Sequence, residues 1–268
     1  MESVKNKLQT EVAKNGEYEK VKTVVEQFIS GTVDKIAEGA KEAAKGATGD
    51  DKIGGATQAG QDANAADRVA VNSLVKGIKE IVGVVLKDNE GNAGATKTGD
   101  TEKKSIGKLF AKKDDDRAQE AEAAAANASI GSVSGADILK AIVKSKEDPK
   151  VNDAEGIVKA TDAAEIAVAP AKDDKKEISE ESAKKDAIIA AGIALRAMAK
   201  NGKFTAKNNE EKSVHAVNGA AASAVGKTLS TLIIAIRNTV DSGLKKINEV
   251  LGTIKQEDRI AGVVTSGQ

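Results

Sequence analysis

The chain has no cysteine and no tryptophan, and only one histidine, two prolines, one tyrosine and three phenylalanines in 268 residues. Without thiols there are no disulfides, no cysteine-based zinc sites, no iron–sulfur clusters and no thiol catalysis. The sole imidazole, His215, lies in the helical stretch E-E-K-S-V-H-A-V-N-G, where it belongs on a solvated face. No G-x-S-x-G turn presents a serine nucleophile to it. Net charge is absent as well: 41 lysines and arginines balance 41 aspartates and glutamates. A neutral balance excludes the broad basic surface of a non-specific nucleic-acid binder. With 41 acids, a pair of carboxylates says nothing about glycoside chemistry, and aromatic platforms for sugars are almost missing. The longest apolar run, 187–195, is far short of the ~20 residues that span a bilayer, and no basic-then-apolar leader opens the chain.

Two segments imitate ligand sites. Residues 221–228, A-A-S-A-V-G-K-T, end like a phosphate-binding loop, but Ala221 replaces its first glycine and no strand precedes it. Gly226, Lys227 and Thr228 therefore belong to a helix interior. Asp88, Asn89, Glu90, Gly91 and Asn92 open like a calcium loop, but Ala93 stands where the sharp turn needs glycine and Gly99 where a bidentate glutamate should close the cage. No catalytic, cofactor-binding or metal-binding residue is assigned, no cofactor is implied, and the chain is not expected to be an enzyme.

What the chain has in quantity is alanine, 46 residues, arranged with helical periodicity. Val21, Val25, Phe28, Thr32, Ile36 and Ala40 form one stripe, and Val71, Leu74, Val75, Ile78, Ile81, Val82 and Val85 a denser one. Gly31 and Gly77 interrupt these patterns and mark either close helix approaches or local bends. Ser134 and Asp137 have capping-box spacing ahead of Ile138, Leu139, Ile142 and Val143. Pro149 closes that helix, and Pro170 closes a further helix expected over 153–168. Residues 184–200 are apolar on more than one side, the mark of a central helix, stopped by Asn201 and Gly202. From Val214 through Val217, Ala221, Ala224, Thr228, Leu232, Ala235 and Thr239 to Gly243, spacings of three and four alternate without a break.

The resulting expectation is an all-α, elongated helical bundle forming one domain over 1–268. Long helices at 17–45 and 209–251 pack together, residues 67–200 supply shorter helices and exposed loops, and 252–268 form a flexible tail. A helix over 209–251 would be about 65 Å long, against a radius of gyration of about 18 Å for a compact chain of this length. Segments 48–60, 87–104, 112–117 and 172–176 are polar or mixed-charge loops. Segments 106–113 (I-G-K-L-F-A-K-K) and 201–208 (N-G-K-F-T-A-K-N) echo one another, too briefly for a repeat.

Residues 184–207, K-K-D-A-I-I-A-A-G-I-A-L-R-A-M-A-K-N-G-K-F-T-A-K, resemble the invariable segment of the variable large proteins of relapsing-fever Borrelia and of the related Lyme variable surface antigen. V-N-S-L-V-K-G-I-K-E-I-V at 71–82, S-I-G-K-L-F at 105–110, A-D-I-L-K-A-I-V at 136–143 and V-D-S-G-L-K-K-I at 240–247 follow in the family's order. The resemblance spans roughly 18–251. It implies an elongated helical bundle and an antigenically variable lipoprotein on the cell outer membrane, whose variants are expressed one at a time to evade host antibody. The family is anchored through a lipidated N-terminal cysteine; this chain has none, and reads as an ectodomain without its anchor. Implied partners are host antibodies. Further candidates are host complement, other serum or matrix proteins or a glycan, and weak self-association. Nucleic acid is not expected, and a membrane only through the lipid. The alternative function is capture of such a host ligand, which would require a defined patch or groove.

Overall fold

The computed structural model describes residues 1–14, 19–47, 53–56, 58–98, 103–112, 117–150 and 154–265. Several expectations fall outside them: the start of the N-terminal helix at Glu17 and Tyr18, Gly99, most of the mixed-charge run at 113–116, and Asp153.

Among the described residues there is no strand, only isolated bridges between Ala47 and Ala199 and between Asn64 and Lys203. Ten α-helices lie among the described residues: α1 (Glu2–Lys14), α2 (Glu19–Phe28), α3 (Asp34–Gly46), α4 (Arg68–Val85), α5 (Glu120–Ser132), α6 (Gly135–Val143), α7 (Ala163–Val168), α8 (Glu180–Ala183), α9 (Asp186–Met198) and α10 (Glu211–Thr265). At 55 residues α10 is about 80 Å long, so the elongated shape holds. It runs through Gly252 to Thr265, so the tail expected over 252–268 is helical as far as that residue. Consecutive N–H···O=C bonds can continue through a single glycine at a cost of about 1 kcal/mol.

The long helices meet over only part of their length. Val21, Val25, Phe28, Ile29 and Val33 enclose a small core with Ile247, against which Leu8, Val12, Val240, Leu244 and Val250 pack. This is a three-helix stalk of α1, α2 and the distal part of α10. Beyond it α3 leaves α10 and packs on α4 instead. The cause lies at Ile29–Val33, a π-turn that joins α2 to α3. An extra residue in a helical turn rotates the following apolar stripe by about 100°. The buried set therefore continues as Val33, Ile36 and Gly39, and Ala40, expected on the stripe, is exposed. Of the two marker glycines, Gly31 lies in this π-turn with open space beside it, and Gly77 lies at a close helix approach.

The main body surrounds α9, which packs on α5, α6, α7 and α10. All thirteen residues of α9 are buried. Gly192 admits the side chain of Ile166; a Cβ there would lie 2.4 Å from it. Asn201, just past the helix, adopts φ 67°, the left-handed stop expected of it. The α10 stripe also faces inward, with Val217, Ala221, Ala224, Thr228, Leu232 and Ala235 buried. By length and composition alone, α10 is the one described helix apolar enough to cross a membrane. The helix expected over 153–168 is divided. A 3-10 turn, Gly156–Lys159, precedes α7, and Asp162 restarts the helix by accepting a hydrogen bond from Glu165 N at 2.9 Å.

Candidate functional site

A surface that meets macromolecules is defined by what is held inside as much as by what is left outside. The inside here is α9, and both of its ends carry a buried charge. Asp186, at the first turn, is fully buried. Its carboxylate accepts from Lys97 N (2.6 Å), Thr98 N (3.0 Å) and Thr98 Oγ1 (2.6 Å), and Lys103 Nζ lies 3.4 Å away. Burial by itself would raise the Asp186 pKa, but these donors outweigh it and hold the carboxyl down at about 2. The same loop satisfies the helix backbone, with Ala95 O accepting from Ala187 N at 3.1 Å. A helix start sealed from water must find its partners in the protein.

Segment 87–104 is therefore not wholly the surface loop expected. Lys87, Asp88, Asn89, Glu90, Asn92 and Lys97 are exposed, but the end of the segment folds over α9 and Lys103 is buried. The stretch around the mixed-charge loop 172–176 divides in the same way. Asp173, Asp174 and Glu177 are exposed, whereas Ile178 is buried and Ser182 donates to Ala160 O at 2.8 Å.

At the other end of α9, Arg196 is fully buried without a carboxylate partner. Its Nε donates to Lys203 O at 3.0 Å, and its Nη1 to Ala169 O at 2.8 Å and Ala167 O at 3.3 Å. The last two are carbonyls at the C-terminus of α7, the partially negative end of that helix, and they stand in for a carboxylate. Phe110 and Phe204 flank the guanidinium, their centroids 4.8 and 5.9 Å from it and 5.5 Å from each other, edge to face. Burial lowers the Arg196 pKa to about 9, which leaves it cationic at neutral pH. The two segments that echo each other in sequence thus meet here, with Thr205 N donating to Leu109 O at 3.0 Å. Sequence reasoning missed both charges; the available signal was an Asp and an Arg on a helix otherwise apolar around its circumference.

The segments that imitate ligand sites are structural. Gly226, Lys227 and Thr228 lie within α10, where Lys227 Nζ donates to Ile130 O at 2.8 Å and Thr228 Oγ1 to Ala224 O at 2.7 Å. Asp88 to Asn92 form an exposed turn, and His215 is exposed on α10. Among the described residues no group of three or more His, Asp or Glu side chains could hold a metal ion.

What the arrangement presents outward is a set of polar loops on a scaffold closed around one helix. The family model for Borrelia lipoproteins matches residues 1–251. The chain belongs to this family. It is 64 % identical to variable large protein 4 of Borrelia hermsii over the whole chain and 77 % of that relative. To variable large protein 17 of the same organism it is 65 % identical, again over the whole chain and 76 % of the relative. The crystal structure of the Lyme disease variable surface antigen VlsE of Borrelia burgdorferi superposes with a TM-score of 0.76 at 33 % identity, over 92 % of this chain and 91 % of that one. Like these relatives, this family member is a surface antigen of the kind that undergoes antigenic variation in evasion of host immunity.

Proposed function

We propose that the chain is one helical ectodomain, tethered to the outer membrane by an N-terminal lipid, that displays changeable loops to host antibody while keeping α9 out of reach. It performs no catalysis. The observation that carries this reading is the complete burial of Asp186–Met198, set against the exposed Lys87, Asp88, Asn89, Glu90, Asn92 and Lys97 of one loop and Asp173, Asp174 and Glu177 of another. Exposed loop residues can be exchanged with small effect on stability, whereas a change on α9 disturbs packing on four sides. An invariable segment persists on a pathogen surface when antibody cannot reach it on the folded protein.

The test uses antibodies raised against a peptide of residues 184–203. They should bind denatured protein strongly and intact cells weakly, and antibodies selected on intact cells should map to the loops. Strong labelling of live cells by the peptide antibodies refutes the reading. Lipid attachment is checked separately, by metabolic labelling of the native protein with a fatty acid.

A further inference from the structure

The apolar interior of the molecule is broken at one level. The core of the body includes Ile36 on α3 and has Ile236 of α10 packed against it, whereas the core of the stalk includes Val33 and has Val240 of α10 against it. The break therefore crosses both long helices together, and on the N-terminal side it falls at the end of the π-turn Ile29–Val33. Two clefts open there, of about 630 and 330 Å³, with Thr239 and Ser242 in the walls of both. Gly31, within the turn, has open space beside it. Apart from the long helices themselves, α1 is what spans the break. Near its start, Lys5 Nζ lies 2.7 Å from Asp34 Oδ1, and Glu2 Oε1 lies 3.5 Å from Lys41 Nζ, both partners being on α3. Further along, Leu8 and Val12 pack on the stalk core. Met1 is the one described apolar residue packed against both cores.

We infer that α1 is a strap across a hinge: the arm made of α1 and α2 swings from α10 at the π-turn as one unit, and the hold of α1 on α3 keeps it shut. Opening costs less than unfolding the body, for three reasons. The stalk core has only six buried residues, of which Ile247 alone belongs to α10. The side chains of Lys5 and Asp34 are 34 % and 32 % exposed, and those of Glu2 and Lys41 more so, which leaves each ion pair screened and weak. A π-turn is also a place where helices bend sharply, so the arm can turn there without breaking regular helix on either side. Elements with few buried contacts open ahead of the rest of a protein. Opening uncovers Val21, Val25, Phe28 and Ile247, an apolar surface hidden in the closed molecule, and leaves α9 enclosed. The device gives the antigen a compliant mount, since a pull at the N-terminus acts first on the strap. That use rests on the tethered reading above; the opening itself does not.

Native-state hydrogen exchange of the whole chain, in urea below the unfolding transition, tests the opening. Amides of 19–28 should exchange together, with about 100-fold less protection than those of α9. Leu8→Asp, at a half-buried site on α1, should quicken exchange throughout 19–28 by about 10-fold and leave α9 unchanged. Lys5→Glu should act in the same direction by about 2- to 5-fold, and adding Asp34→Lys should reverse it. Equal protection of 19–28 and α9 would make the molecule one cooperative unit and overturn the inference. Equal quickening of both regions by Leu8→Asp overturns it too. If 19–28 are indifferent to both variants while the α1 amides exchange faster, α1 frays alone and is no strap.

Discussion

Gly39 and Gly77 stand backbone to backbone where α3 crosses α4. A Cβ on Gly39 would lie 2.7 Å from the Gly77 carbonyl oxygen, and one on Gly77 would lie 2.3 Å from the Gly39 carbonyl oxygen. Neither obstacle is a flexible side chain, so only a shift of one helix makes room. Gly39→Ala and Gly77→Ala should each destabilise the protein by about 1–3 kcal/mol in urea unfolding. Gly83→Ala, in the same helix α4 but facing open space, should instead stabilise it by up to about 1 kcal/mol. Equal behaviour of Gly77→Ala and Gly83→Ala would remove close approach as the reason for glycine at position 77.

Asp186 sets an acid limit on stability. Its folded pKa of about 2 lies below the ordinary carboxyl value, so the stabilisation is complete above about pH 4 and is lost as pH falls through 2. The depression corresponds to about 2 kcal/mol. Asp186→Asn should destabilise the protein at pH 7 by about 3 kcal/mol, because Lys103 loses its buried counter-charge, and should flatten stability between pH 4 and 2. Urea midpoints from pH 7 to pH 2 for the two proteins decide this; parallel curves would show that another group carries the acid dependence.

Arg196 holds four backbone carbonyls, those of Lys203, Ile166, Ala167 and Ala169, with a planar, forked donor, a geometry that an ammonium does not reproduce. Arg196→Lys should therefore cost about 2 kcal/mol or more despite the retained charge, since it leaves buried carbonyls unpaired and loses the stacking on Phe110. Thermal unfolding of the variant provides the measurement. A change within 0.5 kcal/mol would mean that the aromatic enclosure, and not the carbonyl clasp, holds this end of α9.

The α6 start separates capping from tertiary anchoring. Ser134 Oγ accepts from Asp137 N at 3.1 Å, and Asp137 accepts in return from Ser134 N at 2.8 Å and also from Asn92 N at 2.6 Å. Ser134→Ala should cost about 1 kcal/mol. Asp137→Ala should cost more, because it also releases the 87–98 loop, and amide exchange at Asn92 should quicken in that variant alone.

Local chemistry and periodicity were legible in the chain: the α4 and α10 stripes, the Ser134 capping box, the left-handed stop at Asn201 and the central place of 184–200. Each depends on residues within one or two helical turns, so short stretches of sequence suffice. The helical place of Gly226, Lys227 and Thr228 was legible for the same reason, since a displaced loop glycine needs no fold to interpret. Tertiary structure decided the rest. The π-turn at Ile29–Val33 turned the N-terminal helix from α10 toward α4, a choice between two apolar neighbours that its own stripe could not express. Packing of distant segments also placed Thr98 on Asp186 and Phe110 beside Arg196, joining residues 88 and 86 positions apart in the chain. A buried charge takes its partners from whichever backbone arrives beside it, and periodicity does not encode that arrival.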